Sequence, residues 1–148
     1  MKKSLLLAAS LLVLIAASGS AFAQSTNRDH PTPFTSDEIK GELNAKEIEY
    51  FYSFTAGPGE VTLTVDVKSS DGTTGIAFEL LDADANKVLI CCEGAQAGGT
   101  GESGREIASI KLGKRQTVIL HLTPFKYGNG TYRVRISGAV ALAEHGQR

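Results

Sequence analysis

Along residues 61–68 the side chains alternate without a break, with Val61, Leu63, Val65 and Val67 on one side and Thr62, Thr64, Asp66 and Lys68 on the other. A period of two dries one face and wets the other only in a β-strand, so this stretch demands a sheet with one buried side. Similar short runs cover residues 39–43, 47–55, 76–81, 87–93, 105–112, 116–123 and 131–137. Turn formers such as Gly57-Pro58-Gly59, Asp71-Gly72 and Gly128-Asn129-Gly130 separate them. No long stretch keeps helical spacing, although Ile107 and Ile110 in the 105–112 run also suit one helical turn. Eight short strands with turns between them predict an all-β chain, an antiparallel β-sandwich of jelly-roll-like form.

The first 23 of the 148 residues read as an address rather than as fold. Lys2 and Lys3 supply a positive start, residues 5–17 an apolar stretch, and Ala21-Phe22-Ala23 a small-x-small cleavage site. The expected organisation is a secretory signal peptide at 1–23, a flexible polar leader at 24–37 holding Pro31 and Pro33, a sandwich at 38–138, and a loose tail at 139–148. Cleavage near Ala23 leaves a secreted or periplasmic chain with 13 basic and 16 acidic side chains. A domain of that size buries roughly 65% of its unfolded surface, enough for one core. The mature part has no apolar run long enough for a membrane helix. Its mild negative charge lacks the basic excess that nucleic acid requires.

Five elements in order carry a family resemblance: Ile39-Lys40-Gly41-Glu42-Leu43, the aromatic run ending at Phe54, Gly57-Pro58-Gly59 leading into the alternating strand, Leu80-Leu81-Asp82, and Gly130-Thr131-Tyr132-Arg133-Val134-Arg135-Ile136. Together they resemble the bacterial pre-peptidase C-terminal domain over residues 38–138. That resemblance implies a secreted jelly-roll sandwich without catalysis, which aids secretion or binds surfaces such as polysaccharide or collagen. The glycine-rich segment 94–104 and the adjacent cysteines depart from the family pattern, and the module is expected to stand without a catalytic domain before it. No family binding residue maps onto a position of this chain.

Cys91 and Cys92 are neighbours in a chain expected to meet oxidising conditions. Strand alternation would send their thiols to opposite faces, Cys92 with Val88 and Ile90 and Cys91 with Leu89. Three outcomes stay open: one buried and one partly exposed thiol, a disulfide between the neighbours, or a bridge to another chain that builds an oligomer. No neighbouring His completes a zinc set. Asp82, Asp84 and Asn86 place oxygen ligands at alternate positions, as calcium loops do, but Lys87 stands where such a loop needs Gly. The same residues suit a plain hairpin turn. No other cofactor is expected.

Catalytic motifs fail in context. Gly99, Gly101 and Gly104 spell G-x-G-x-x-G, yet a strand follows and no acidic residue occurs between Glu106 and Glu144 to hold a ribose. Ser103 nearly completes a nucleophile elbow, but Arg105 takes the last glycine position. His30, His121 and His145 are scattered, so no base and nucleophile can be paired. Tyr50, Tyr52 and Phe54 share one strand face and suit the core, whereas Phe51, Phe125 and Tyr127 are expected outside. Asn129-Gly130-Thr131 reads as a turn, not as a glycan site. These residues predict an exported, non-catalytic module that binds a polysaccharide or protein surface, or else a structural, folding-assist or oligomerisation module.

Overall fold

The computed structural model describes residues 24–44, 48–83, 87–125 and 128–142. The segment read as a signal peptide, together with Asp84, Asn86, Tyr127 and His145, lies outside them. Eight strands follow in order: β1 (Thr32–Pro33), β2 (Glu38–Leu43), β3 (Tyr50–Asp71), β4 (Thr74–Asp82), β5 (Val88–Ala97), β6 (Ser103–Leu112), β7 (Gln116–Phe125) and β8 (Asn129–Ala141). No helix occurs among the described residues. All pairings are antiparallel except β1 with β3.

Two of the expected runs are one strand. β3 carries 22 residues, and its halves lie in different layers of one continuous eight-stranded sheet, a front sheet and a back sheet joined through this strand. Tyr50 to Ala56 pair with β7, which continues through β4 to β5 and forms the back sheet. Gly59 to Lys68 pair with β6 on one side and β8 on the other, and β8 pairs with β2 to complete the front sheet. The turn expected at Gly57-Pro58-Gly59 is therefore a corner within a strand. Gly57 has φ of 81°, and a Cβ there would lie 2.3 Å from the Lys114 carbonyl oxygen, so only glycine fits. β8 bends beside it at Gly138, with φ of 93°. Ala56 and Val61 both face the core although five positions separate them, so the corner shifts the phase of alternation.

The core fills the space between the sheets. Val61, Leu63, Val65 and Val67 come from the front half of β3, with Val134 and Ile136 from β8. Phe54, Phe78, Leu80, Val118, Leu120 and Leu122 come from the back sheet. Each such side chain contributes about 1.5–3 kcal/mol by leaving water. Tyr52 and Phe54 are buried as expected. The 105–112 run is a strand with Ala108 and Ile110 packed toward the core.

The segment 24–37, read as a polar leader, makes contacts with the sandwich. Phe34 is fully buried, its ring 5.9 Å from those of Tyr52 and Phe54 in edge contact, and its N–H donates to Ser53 O at 2.8 Å. Ser25 bridges to Phe51, and Gln24 Nε2 donates to the Tyr132 hydroxyl at 2.9 Å. Two prolines allowed an extended chain, and Phe34 anchors it. At the other end β8 runs to Ala141, and Ala139, Val140 and Leu142 pack on the core. Residues 94–104 are held too: β5 reaches Ala97, Gly101 N–H donates to Ser69 O, and Ser69 N–H donates to Glu102 O.

Phe34→Ala is expected to destabilise the protein by about 3–5 kcal/mol, the range for deleting a buried aromatic. Urea unfolding followed by circular dichroism measures it, and an unchanged midpoint would show that the segment does not hold the core.

Candidate functional site

The outer face of the front sheet carries a charged cleft of about 590 Å3. Antiparallel register builds it in rows that cross four strands. Arg105 of β6, Asp66 of β3, Arg133 of β8 and Lys40 of β2 stand side by side in one row. Ile107, Thr64, Arg135 and Glu38 form the next, and Ser103, Lys68, Thr131 and Glu42 the one on its other side. All point away from the core because Val65, Val67, Tyr132 and Val134 use the alternate positions.

Two carboxylates tie the rows together. Arg105 Nε donates to Asp66 Oδ1 at 2.5 Å, and Arg135 Nη2 donates to Asp66 Oδ2 at 3.0 Å. Glu38 takes Lys40 Nζ at 2.8 Å and Arg133 Nε at 3.4 Å. Burial alone would raise the Asp66 carboxyl, but Arg105 and Arg135 outweigh it and hold it below its ordinary value. Lys40 is the main reason that Glu38 also lies low, with burial opposing and the two β8 arginines assisting. Arg105 and Arg133 each engage a carboxylate through Nε, which leaves their Nη donors for a ligand. Their side chains are 59% and 47% exposed. Of the lining residues, Lys40, Lys68, Arg105 and Arg133 are cationic against Glu42 and Asp66, an excess of two positive charges.

The residues singled out in the sequence lie elsewhere. Asp82 ends β4, and its N–H donates to Lys87 O at 2.7 Å, closing the β4–β5 hairpin. Cys91 and Cys92 form a disulfide with each other. The intermolecular bridge and the pair of separate thiols are thereby replaced, since no free cysteine remains. Strict alternation does not hold at this point: Leu80 faces Ile90 and Phe78 faces Glu93, so both cysteines oppose the single residue Glu79 in a β-bulge. Cys92 takes φ of 64°, and both residues are exposed instead of lying on opposite faces of a strand.

Phe51, expected outside, is buried with Ile119 and Leu81 on the outer face of the back sheet. His121 stacks on it, with centroids 4.5 Å apart and planes within 3°. The imidazole reaches Glu79 Oε2 through Nδ1 at 3.3 Å and Glu49 Oε2 through Nε2 at 3.2 Å. Phe125 is half-buried over Gly75. Asn129 donates through backbone and side chain to Asp71, both at 2.7 Å, which is a structural role. Neither charged cluster was named from sequence; the alternation along β3 placed Asp66 and Lys68 outward, but finding their partners needed the register.

No protein-family model and no curated protein sequence matches the chain. Among solved structures it is similar to a family GH115 4-O-methyl-alpha-glucuronidase, BtGH115A, with specificity for decorated arabinogalactans, at 10% identity and a TM-score of 0.48 over 86% of this chain. The chain spans only 19% of that protein's length. It is also similar to CBM35 from Cellvibrio japonicus Abf62, at 12% identity and a TM-score of 0.42 over 84% of this chain and 88% of the other. A third is the CBM36-1 domain of a multidomain xylanase from the hindgut metagenome of Trinervitermes trinervoides, at 12% identity and a TM-score of 0.37, over 76% and 94%. At such identities no ligand passes from those proteins to this one.

A carboxylate whose folded value lies below its unfolded one stabilises the protein above the unfolded value and loses that effect as pH falls through the folded value. Asp66, ordinarily 3.8, is such a group. Asp66→Asn should lower stability at pH 7 by no more than about 1 kcal/mol, given its partial exposure. Below pH of about 4 the wild-type advantage should shrink until the two melting curves converge. Thermal melts from pH 7 to pH 2 test this; parallel curves would remove the clamp's electrostatic role.

Proposed function

We propose that this protein is a non-catalytic, exported binding module whose front-sheet cleft takes a uronate-bearing polysaccharide. The observation that carries the reading is the row Arg105, Asp66, Arg133 and Lys40, with hydroxyls at Ser103 and Thr131 beside it. Guanidinium forks suit carboxylates, and the Nη groups of Arg105 and Arg133 are placed to donate to them. Glu42 and Asp66, with the two hydroxyls, offer acceptors for sugar hydroxyls. A polyphosphate would meet those carboxylates as repulsion, so the mixed lining favours an acidic sugar. A shallow trough crossing four strands fits an extended polymer better than a small molecule. The low-lying Asp66 is a poor general acid at neutral pH, in keeping with binding without catalysis. Export and polymer binding are also what the resemblance to the pre-peptidase C-terminal domain implies.

Retention of the protein on insoluble polygalacturonate and alginate, with cellulose, chitin and collagen as comparisons, tests the reading. The uronate polymers should retain it, and rising salt should release it. Arg133→Ala and Lys40→Ala should each weaken binding about tenfold, or about 1.4 kcal/mol. Equal retention on cellulose, or variants that bind as well as wild type, would overturn it; retention on collagen alone would point to a protein ligand.

A further inference from the structure

The back sheet holds a second built cluster, on the opposite outer face from the cleft. Glu79 of β4 faces the Cys91–Cys92 bulge of β5, its Oε1 3.9 Å from Cys91 Sγ. One carboxylate oxygen and both sulfurs lie within 4.8 Å of one another. The other Glu79 oxygen is engaged by His121 Nδ1. His121 is in turn fixed by Glu49, by Thr123 Oγ1 at 3.1 Å from Nε2, and by stacking on the buried Phe51. An exposed acid would ordinarily sweep through many rotamers. This one is oriented, with one oxygen toward two accessible sulfurs.

We propose that Glu79, Cys91 and Cys92 form a redox-gated site for a thiophilic divalent cation of the zinc and cadmium type. A dithiol reductant opens it: a thiolate attacks one sulfur, the Cys91–Cys92 bond breaks, and a mixed disulfide forms. The reductant's second thiolate then attacks its own sulfur in the mixed disulfide, that bond breaks, the reductant leaves as a cyclic disulfide, and its two protons pass to Cys91 and Cys92, which are left as thiols. The cation displaces those two protons and gains two thiolates and the Glu79 carboxylate, a donor set suited to borderline-soft metals with a position left open. A disulfide oxidant reverses this by exchange: it takes two electrons from the thiolate pair and is reduced to two thiolates, the Cys91–Cys92 bond re-forms, and the cation is released. His121 acts as a positioning residue that aims the carboxylate, as second-shell partners do at metal sites.

The test uses the full chain reduced with excess dithiothreitol and desalted under argon, its two thiols confirmed by alkylation and mass. Cadmium chloride is titrated in, and ultraviolet thiolate-to-cadmium absorption is read. The reduced protein should bind one cadmium per chain and the oxidised protein none. Glu79→Gln and His121→Ala should each weaken binding by about 10–100-fold. Failure to generate two thiols, no absorption band in the reduced protein, or an affinity unaltered in Glu79→Gln would each overturn the site. None of these results bears on the cleft of the front sheet.

Discussion

The structure depends on one strand serving two sheets. β3 contributes Phe54 to the back layer and Val61, Leu63, Val65 and Val67 to the front, so its corner sets the spacing of the layers. Alternation alone would turn the second half's valines to solvent, because a run of two-residue repeats cannot place both Ala56 and Val61 inward. The extra residues at Gly57-Pro58-Gly59 correct that phase, and β8 follows the same bend at Gly138. Pro58 has no N–H to lose from a ladder, which makes the corner a low-cost place to leave regular pairing.

A second phase shift occurs at Cys91 and Cys92. Ile90 before the bulge and Ala95 and Ala97 after it all face the core, so the extra residue realigns β5 while lifting both sulfurs outward. Bulges bend an edge strand and re-aim side chains, and here the re-aimed pair meets Glu79. The two irregularities thus act differently. The corner near Gly57 lets the chain cross between layers, whereas the bulge equips a surface.

The charges of the front sheet add little to stability. Arg105, Arg133 and Lys40 are largely exposed, and pairs of that kind contribute on the order of 0–1 kcal/mol. Their effect lies in placement. Asp66 and Glu38 hold three arginines and a lysine in a fixed array, which lowers the ordering cost a ligand would otherwise meet. Side chains engaged through one nitrogen keep the others for recognition.

The sequence by itself determined the strand content, the inward set at residues 61–67 of β3, and the burial of Tyr52 and Phe54, because side-chain period is a local property of the backbone. It did not show that residues 50–71 are one strand, since a glycine–proline corner reads locally as a turn. Phe34 lay hidden in a polar, proline-bearing stretch, where a single apolar residue carries no period. Asp82, read either as a calcium ligand or as a turn residue, closes a hairpin through its backbone N–H. Only the tertiary structure decided that Asp66 meets Arg105 and Arg135, 39 and 69 positions away, and that Glu79 meets Cys91 across a bulge. The reason is physical: alternation says which face a side chain takes, but strand register, fixed by the packing of the whole sandwich, says what it takes that face beside.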